Sequence, residues 1–170
     1  MYRETFRSVM SRGYNDKNFE DRVTIQKIVY LAECAGLNLG NNMFSWHKRG
    51  PYSIFLRQDI KDEIAQGDED KEGGWASFGD DVIKNLEVIA QKAPKPFWLE
   101  MIASFHYLAC YEMPRKELKD IFTELQKRKS ELLRKNDVDL GCPKTQKEVL
   151  KTWKDYCQNT GISWFVPDFA

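Results

Sequence analysis

The chain has no surplus charge of either sign. Lys and Arg number 26, Asp and Glu number 26, and the formal net charge is zero. No global field therefore draws nucleic acid or a membrane surface, and any such attraction must come from a local patch. No run approaches the roughly 18 apolar residues of a membrane span, and no apolar signal core opens the sequence. The expectation is a soluble, cytoplasmic protein. Cysteine is sparse: Cys34, Cys110, Cys142 and Cys157 never stand at C-x-x-C spacing, which removes the local signature of a zinc site. There is no P-loop, no paired-glycine dinucleotide fingerprint and no H-E-x-x-H. Internal repeats and low-complexity tracts are also missing. Neither a metal nor a cofactor is expected.

What remains is an ordinary globular composition, 42% hydrophobic and 31% charged over 170 residues, enough for one domain with a core of its own. The least ordinary stretch is Met43–Ser53, MFSWHKRGPYS. It packs three aromatics, the triplet His47-Lys48-Arg49 and a Gly50-Pro51 break into a short span. Alternation at Phe44, Ser45, Trp46 and His47 predicts a short strand. Proline cannot donate to a ladder, so Gly50-Pro51 is expected to end it.

Helical periodicity surrounds this stretch. A short amphipathic piece covers Met1–Arg12, ended by Gly13. Asn18 is positioned to cap a helix over Phe19–Ala35, with Ile25, Ile28, Val29 and Ala32 inward and Gly36 closing it. Gln26 and Lys27 fall on its polar side. Ser53 can cap a helix to about Gln66 carrying Leu56, Ile60 and Ile64. Gly67–Gly74 reads as a mobile loop. A helix from Asp80 to Ala93 turns Val82, Ile83, Leu86, Ile89 and Ala90 inward. Phe97–Glu112 is apolar enough to be the central helix. Pro114 suits the first turn of the next, which runs to about Lys135. Thr145-Gln-Lys-Glu148 reads as a capping box opening a last helix to about Gln158. The aromatic end, residues 161–170, is expected to pack as an extended arm, on the domain or on a partner. The fold class is thus mainly α: a single compact domain, residues 1–170, of about six or seven helices with a short β element. The order helix, strand, loop, helix also fits a winged-helix-like arrangement.

Two motifs occur in order. Arg22-Val-Thr-Ile-Gln-Lys-Ile-Val-Tyr-Leu31 is followed by Phe44-Ser-Trp-His-Lys-Arg-Gly-Pro-Tyr-Ser53. The pair resembles the "R-x-x-L-Q-K-x-V-Y-L … F-x-W-Y-x-x-G-P-Y-S" signature of YwgA-like proteins, and a related pattern opens the Panacea domain of antitoxins and phage-linked genes. Trp98–Tyr107 is similar to the "E-L-x-A-S-x-H-Y" helix of the same proteins. The resemblance implies a compact, mostly helical fold with a small β element. Through the Panacea relatives it also implies neutralisation of a toxin partner by direct binding. It supplies no catalytic residue.

Three functional readings compete. The first is a non-enzymatic protein-interaction module, antitoxin-like or phage-associated, whose partner is a toxin or host factor. Its surface would comprise Arg22, Gln26, Lys27, Tyr30, Trp46, Lys48, Arg49 and Tyr52, with arginine and aromatics as the usual anchors. Against it stands a purely structural turn. The second is a winged-helix-type DNA-binding regulator using Lys48, Arg49 and the basic cluster Lys127, Arg128 and Lys129. Interleaved Glu117, Asp120, Glu124 and Glu131 favour a solvated helix face there instead, and nucleic acid is not the favoured partner. The third is an enzyme built on His106 and Cys110, four residues apart on one helix face, for which no third orienting group is evident.

Overall fold

A computed structural model describes residues 1–67 and 79–161. The expected loop over 67–74 and the aromatic arm over 161–170 fall outside the described residues, apart from Gly67 and Gly161. The protein is mainly α. Eight helices and one two-stranded antiparallel sheet occur among the described residues. In chain order they are α1 (Tyr2–Met10), α2 (Phe19–Cys34), β1 (Ser45–His47), β2 (Gly50–Tyr52), α3 (Ile54–Ala65), α4 (Asp80–Gln91), α5 (Phe97–Tyr107), α6 (Leu118–Arg128), α7 (Ser130–Lys135) and α8 (Pro143–Thr160). No described helix is long and apolar enough to cross a membrane.

Two helices form the centre. Every residue of α5 from Phe97 to His106 is buried, as its composition predicts. Helix α2 is buried on all sides from Thr24 to Ala32, which its one-sided apolar pattern does not predict. Neighbours on every flank account for this: α2 packs against α1, α4, α5 and the hairpin. Gln26 and Lys27, expected on a polar face, each retain only 1% exposure.

The ends of α2 follow from local chemistry. The Asn18 side chain accepts the Glu20 and Asp21 N–H groups, and both acids sit at the positive end of the helix dipole. At the other end Gly36 takes φ 87°. The Leu37 N–H then reaches Ala32 O at 3.1 Å and the Gly36 N–H reaches Glu33 O at 2.9 Å, the paired bonds of a Schellman motif. Ser53 caps α3 as expected, its Oγ accepting from Leu56 N–H at 3.2 Å.

Other expected boundaries moved. Ser11, in the left-handed region, ends α1 ahead of Gly13. Pro114 lies in a turn, and α6 begins only at Leu118. The single helix expected from there to Lys135 is interrupted at Lys129, which takes φ −109° and ψ 13°, giving α6 and α7; the Lys129 side chain turns inward to an ionic partner. Helix α8 starts at Pro143, whose fixed φ and missing N–H suit a first helical position. Thr145 therefore lies inside the helix, and Glu148 pairs with Lys92. A π-helical turn over Leu108–Glu112 closes α5.

Proline does not end the β element. Gly50-Pro51-Tyr52 is its second strand, with Ser45 opposite Tyr52, Trp46 opposite Pro51 and His47 opposite Gly50. Across this two-residue turn His47 and Gly50 form the hydrogen-bonded pair, so Trp46 and Pro51 form the next, non-hydrogen-bonded one. The missing proline N–H therefore points out of the ladder, where none is required.

Candidate functional site

The three sequence stretches that stand out meet at this hairpin. From α2, Gln26 pairs with the Ser53 backbone in both directions: its Oε1 accepts Ser53 N–H at 2.8 Å and its Nε2 donates to Ser53 O at 3.0 Å. One residue on, Lys27 Nζ donates to Pro51 O at 2.7 Å. Tyr30, one turn further, sets its ring edge-on to Phe44 at 5.1 Å. The side chains of α2 thus replace the neighbouring strand that a two-stranded ribbon lacks.

From α5, Ser104 underlies Gly50. A Cβ on Gly50 would stand 2.3 Å from Ser104 Oγ, and the residue carries φ 90°. Only glycine meets both conditions. Glu100, one turn earlier, pairs with Lys129 Nζ at 2.7 Å, both side chains nearly inaccessible. Tyr107 OH donates to Phe44 O at 3.5 Å. At the end of α6 the Arg128 guanidinium lies 4.6 Å above the Trp46 ring centre, and Nζ of Lys129, the next residue, lies 5.4 Å from it, within cation–π range.

The expected surface therefore divides. Gln26, Lys27 and Tyr30 are buried braces, and Trp46 is a half-buried platform. Arg22 is half-buried, donating to Asp16 O at 2.7 Å and lying 5.5 Å from the Phe19 ring centre. Lys48 is exposed and loosely opposite Glu131 at 3.9 Å. Arg49 is half-buried, its guanidinium 5.5 Å from the same Phe19 ring. Tyr52 is half-buried, its ring 5.2 Å from that of His47.

The basic cluster of the nucleic-acid alternative, Lys127, Arg128 and Lys129, is not a uniformly solvated cationic face either. Lys129 is 2% exposed and committed to Glu100. Arg128 is held by Glu112 at 2.7 Å and Glu124 at 2.6 Å. Lys127 alone of the three is exposed. Of the interleaved acidic residues only Glu124 takes part; Glu112 and Glu100, outside the cluster, supply the other partners.

His106 and Cys110 do not form an exposed nucleophilic pair. His106 is buried, and its Nδ1 is engaged by the Tyr30 hydroxyl at 2.7 Å. Loss of solvent pushes its pKa down to about 4, so the ring is neutral at pH 7. The same burial pushes the Cys110 thiol up to about 11 and Cys34 up to about 12, which keeps the sulfurs protonated and weakly nucleophilic. Among the described residues no group of three or more His, Cys, Asp or Glu is placed to hold a metal ion.

Sequence reasoning passed over two features. Phe19, Ile54 and Phe55 are exposed, at 54%, 63% and 52%. Phasing could have revealed the last two, since a helix that turns Leu56 and Ile60 inward turns Ile54 and Phe55 away. The other feature is a cleft of about 410 Å³ between the start of α2, the residues leading into α5 and the end of α7. Lys27 and Arg49 reach it from the hairpin side. Burial, aided by Lys129 and Arg49 and opposed by Glu100, brings the Lys27 pKa down to about 7.

Comparison with known proteins returns no matching family model, no matching curated protein and no matching solved structure.

Proposed function

We propose that this protein is a non-enzymatic protein-interaction module, and that its contact surface is the outward side of the hairpin and the first turn of α3. One observation carries the reading. The residues of the three motifs are mostly consumed in bracing the hairpin from below, while Arg49, Phe19, Ile54 and Phe55 are left at the surface around it. Exposed aromatic and aliphatic side chains beside an arginine are the side-chain types of interface anchors, and a rigid support lowers the ordering cost of binding. The partner is a protein that offers apolar and acidic groups together. The resemblance to YwgA-like and Panacea proteins adds a toxin or a phage- or host-encoded factor as its kind. The buried His106 and the protonated thiols give no support to the Cys–His enzyme, and the neutralised α6 cluster gives little to the DNA-binding regulator.

Affinity capture from host cells tests the reading, comparing the wild type with Arg49→Ala/Phe55→Ser. A specific protein retained by the wild type and lost by the folded double variant is expected. Equal retention by the two would count against the surface. A shift assay that formed a DNA complex weakening steeply with salt would favour the regulator instead.

A further inference from the structure

The cleft beside the hairpin is electrostatically unbalanced. Four basic side chains border it: Arg49, Lys95 and Lys135, and Lys27, which is cationic when protonated. Of its two carboxylates, Glu20 and Glu100, the second is already neutralised by Lys129 at 2.7 Å. At Lys27, where it is withdrawn from water, that charge is costly to leave uncompensated. Lys27 makes the point most sharply. It is 1% exposed yet borders the cleft, and its one hydrogen bond among the described residues goes to Pro51 O. When protonated it offers three donors, and among the described residues only the one to Pro51 O has a protein acceptor. The rest of the wall is apolar, formed by Phe19, Val23, Phe97 and Leu132. A volume of about 410 Å³ falls within the usual range for small-molecule sites and well exceeds a bare phosphate ion.

We propose that this cleft binds a small phosphorylated molecule. Its phosphate groups engage Lys27, Arg49, Lys95 and Lys135, and its apolar part lies against Phe19, Phe97 and Leu132. A multiply charged phosphate or diphosphate suits the site better than a single carboxylate, because four basic side chains line the cleft against one uncompensated acid, Glu20. The proposal does not depend on the partner surface, with which it shares only Phe19 and Arg49.

Isothermal titration of the full chain with inorganic pyrophosphate, ADP and adenosine, at fixed ionic strength, tests it. Saturable binding of pyrophosphate and ADP, without binding of adenosine, is expected. Lys95 and Lys135 are exposed, so Lys95→Gln and Lys135→Gln should fold normally. Each is expected to weaken ADP by about tenfold, the effect of one lost charge-assisted hydrogen bond. Lys119→Gln, on α6, should leave it unchanged. The proposal is overturned if neither phosphate compound binds, if adenosine binds as well as ADP, or if affinity is indifferent to both cleft substitutions. Capture of a protein partner can succeed or fail separately, so the two proposals are distinguishable.

Discussion

Near neutral pH the buried Lys27 ammonium lies within electrostatic reach of two further cations, Lys129 and Arg49, with Glu100 as counter-charge. Its folded pKa of about 7 is below the ordinary lysine value of roughly 10.4. Between these values the unfolded chain holds a proton that the folded chain has released, so this group makes stability rise with pH. Below about pH 7 both states are charged and the cost of burying the charge is complete. Lys27→Met removes that cost together with the bond to Pro51 O. The stability difference between the two proteins is therefore expected to move toward the wild type by about 2 kcal/mol from about pH 6.5 to 8.5. Urea unfolding across that interval measures it, and a constant difference would mean that Lys27 does not titrate there. Little of this is legible in the sequence. Lys27 reads as a polar-face residue because the side that covers it is built by the hairpin, 24 residues away at Pro51.

At the scale of elements, the hairpin is too short to persist alone, since an isolated two-stranded ribbon is marginal in water. Its order comes from α2 and α5, and on the α2 side from the two bonds between Gln26 and the Ser53 backbone. Gln26→Ala leaves the buried Ser53 N–H without its acceptor. A loss of about 1–3 kcal/mol is expected, with faster hydrogen exchange concentrated at the hairpin and the start of α3. Uniformly faster exchange over all helices would show that the brace serves global stability alone. Element identity was largely legible, because caps and periodicity are local: Asn18, Gly36 and Ser53 act where the sequence places them. The breaks that failed depend on distant partners. Lys129, where a good helical run is interrupted, has its ionic partner Glu100 29 residues away. Pro51 is read as a stop because whether its missing N–H matters depends on which pair of the ladder it joins.

Around the hairpin, buried polar contacts and exposed apolar side chains lie on different sides. Gln26, Lys27, Glu100, Ser104 and Lys129 lie beneath the hairpin with almost no solvent contact, while Phe19, Ile54 and Phe55 remain open. The mainly helical class followed directly from periodicity. Neither the cleft nor the proposed contact surface did, because each joins segments distant in the chain. Arg49 meets Phe19 across 30 residues, and Lys135 borders the same cleft as Lys27, relationships that no local pattern encodes.

The outward hairpin surface as a protein-contact site is the central claim, and site-specific photo-cross-linking in the host cell tests it most directly. A photoreactive phenylalanine analogue would replace Phe55 in one sample and exposed Thr123, on α6, in another. The account predicts a discrete cross-linked protein from position 55, absent from position 123 and lost when Arg49→Ala is added. No adduct from position 55, or the same adducts from both positions with or without Arg49, would contradict it.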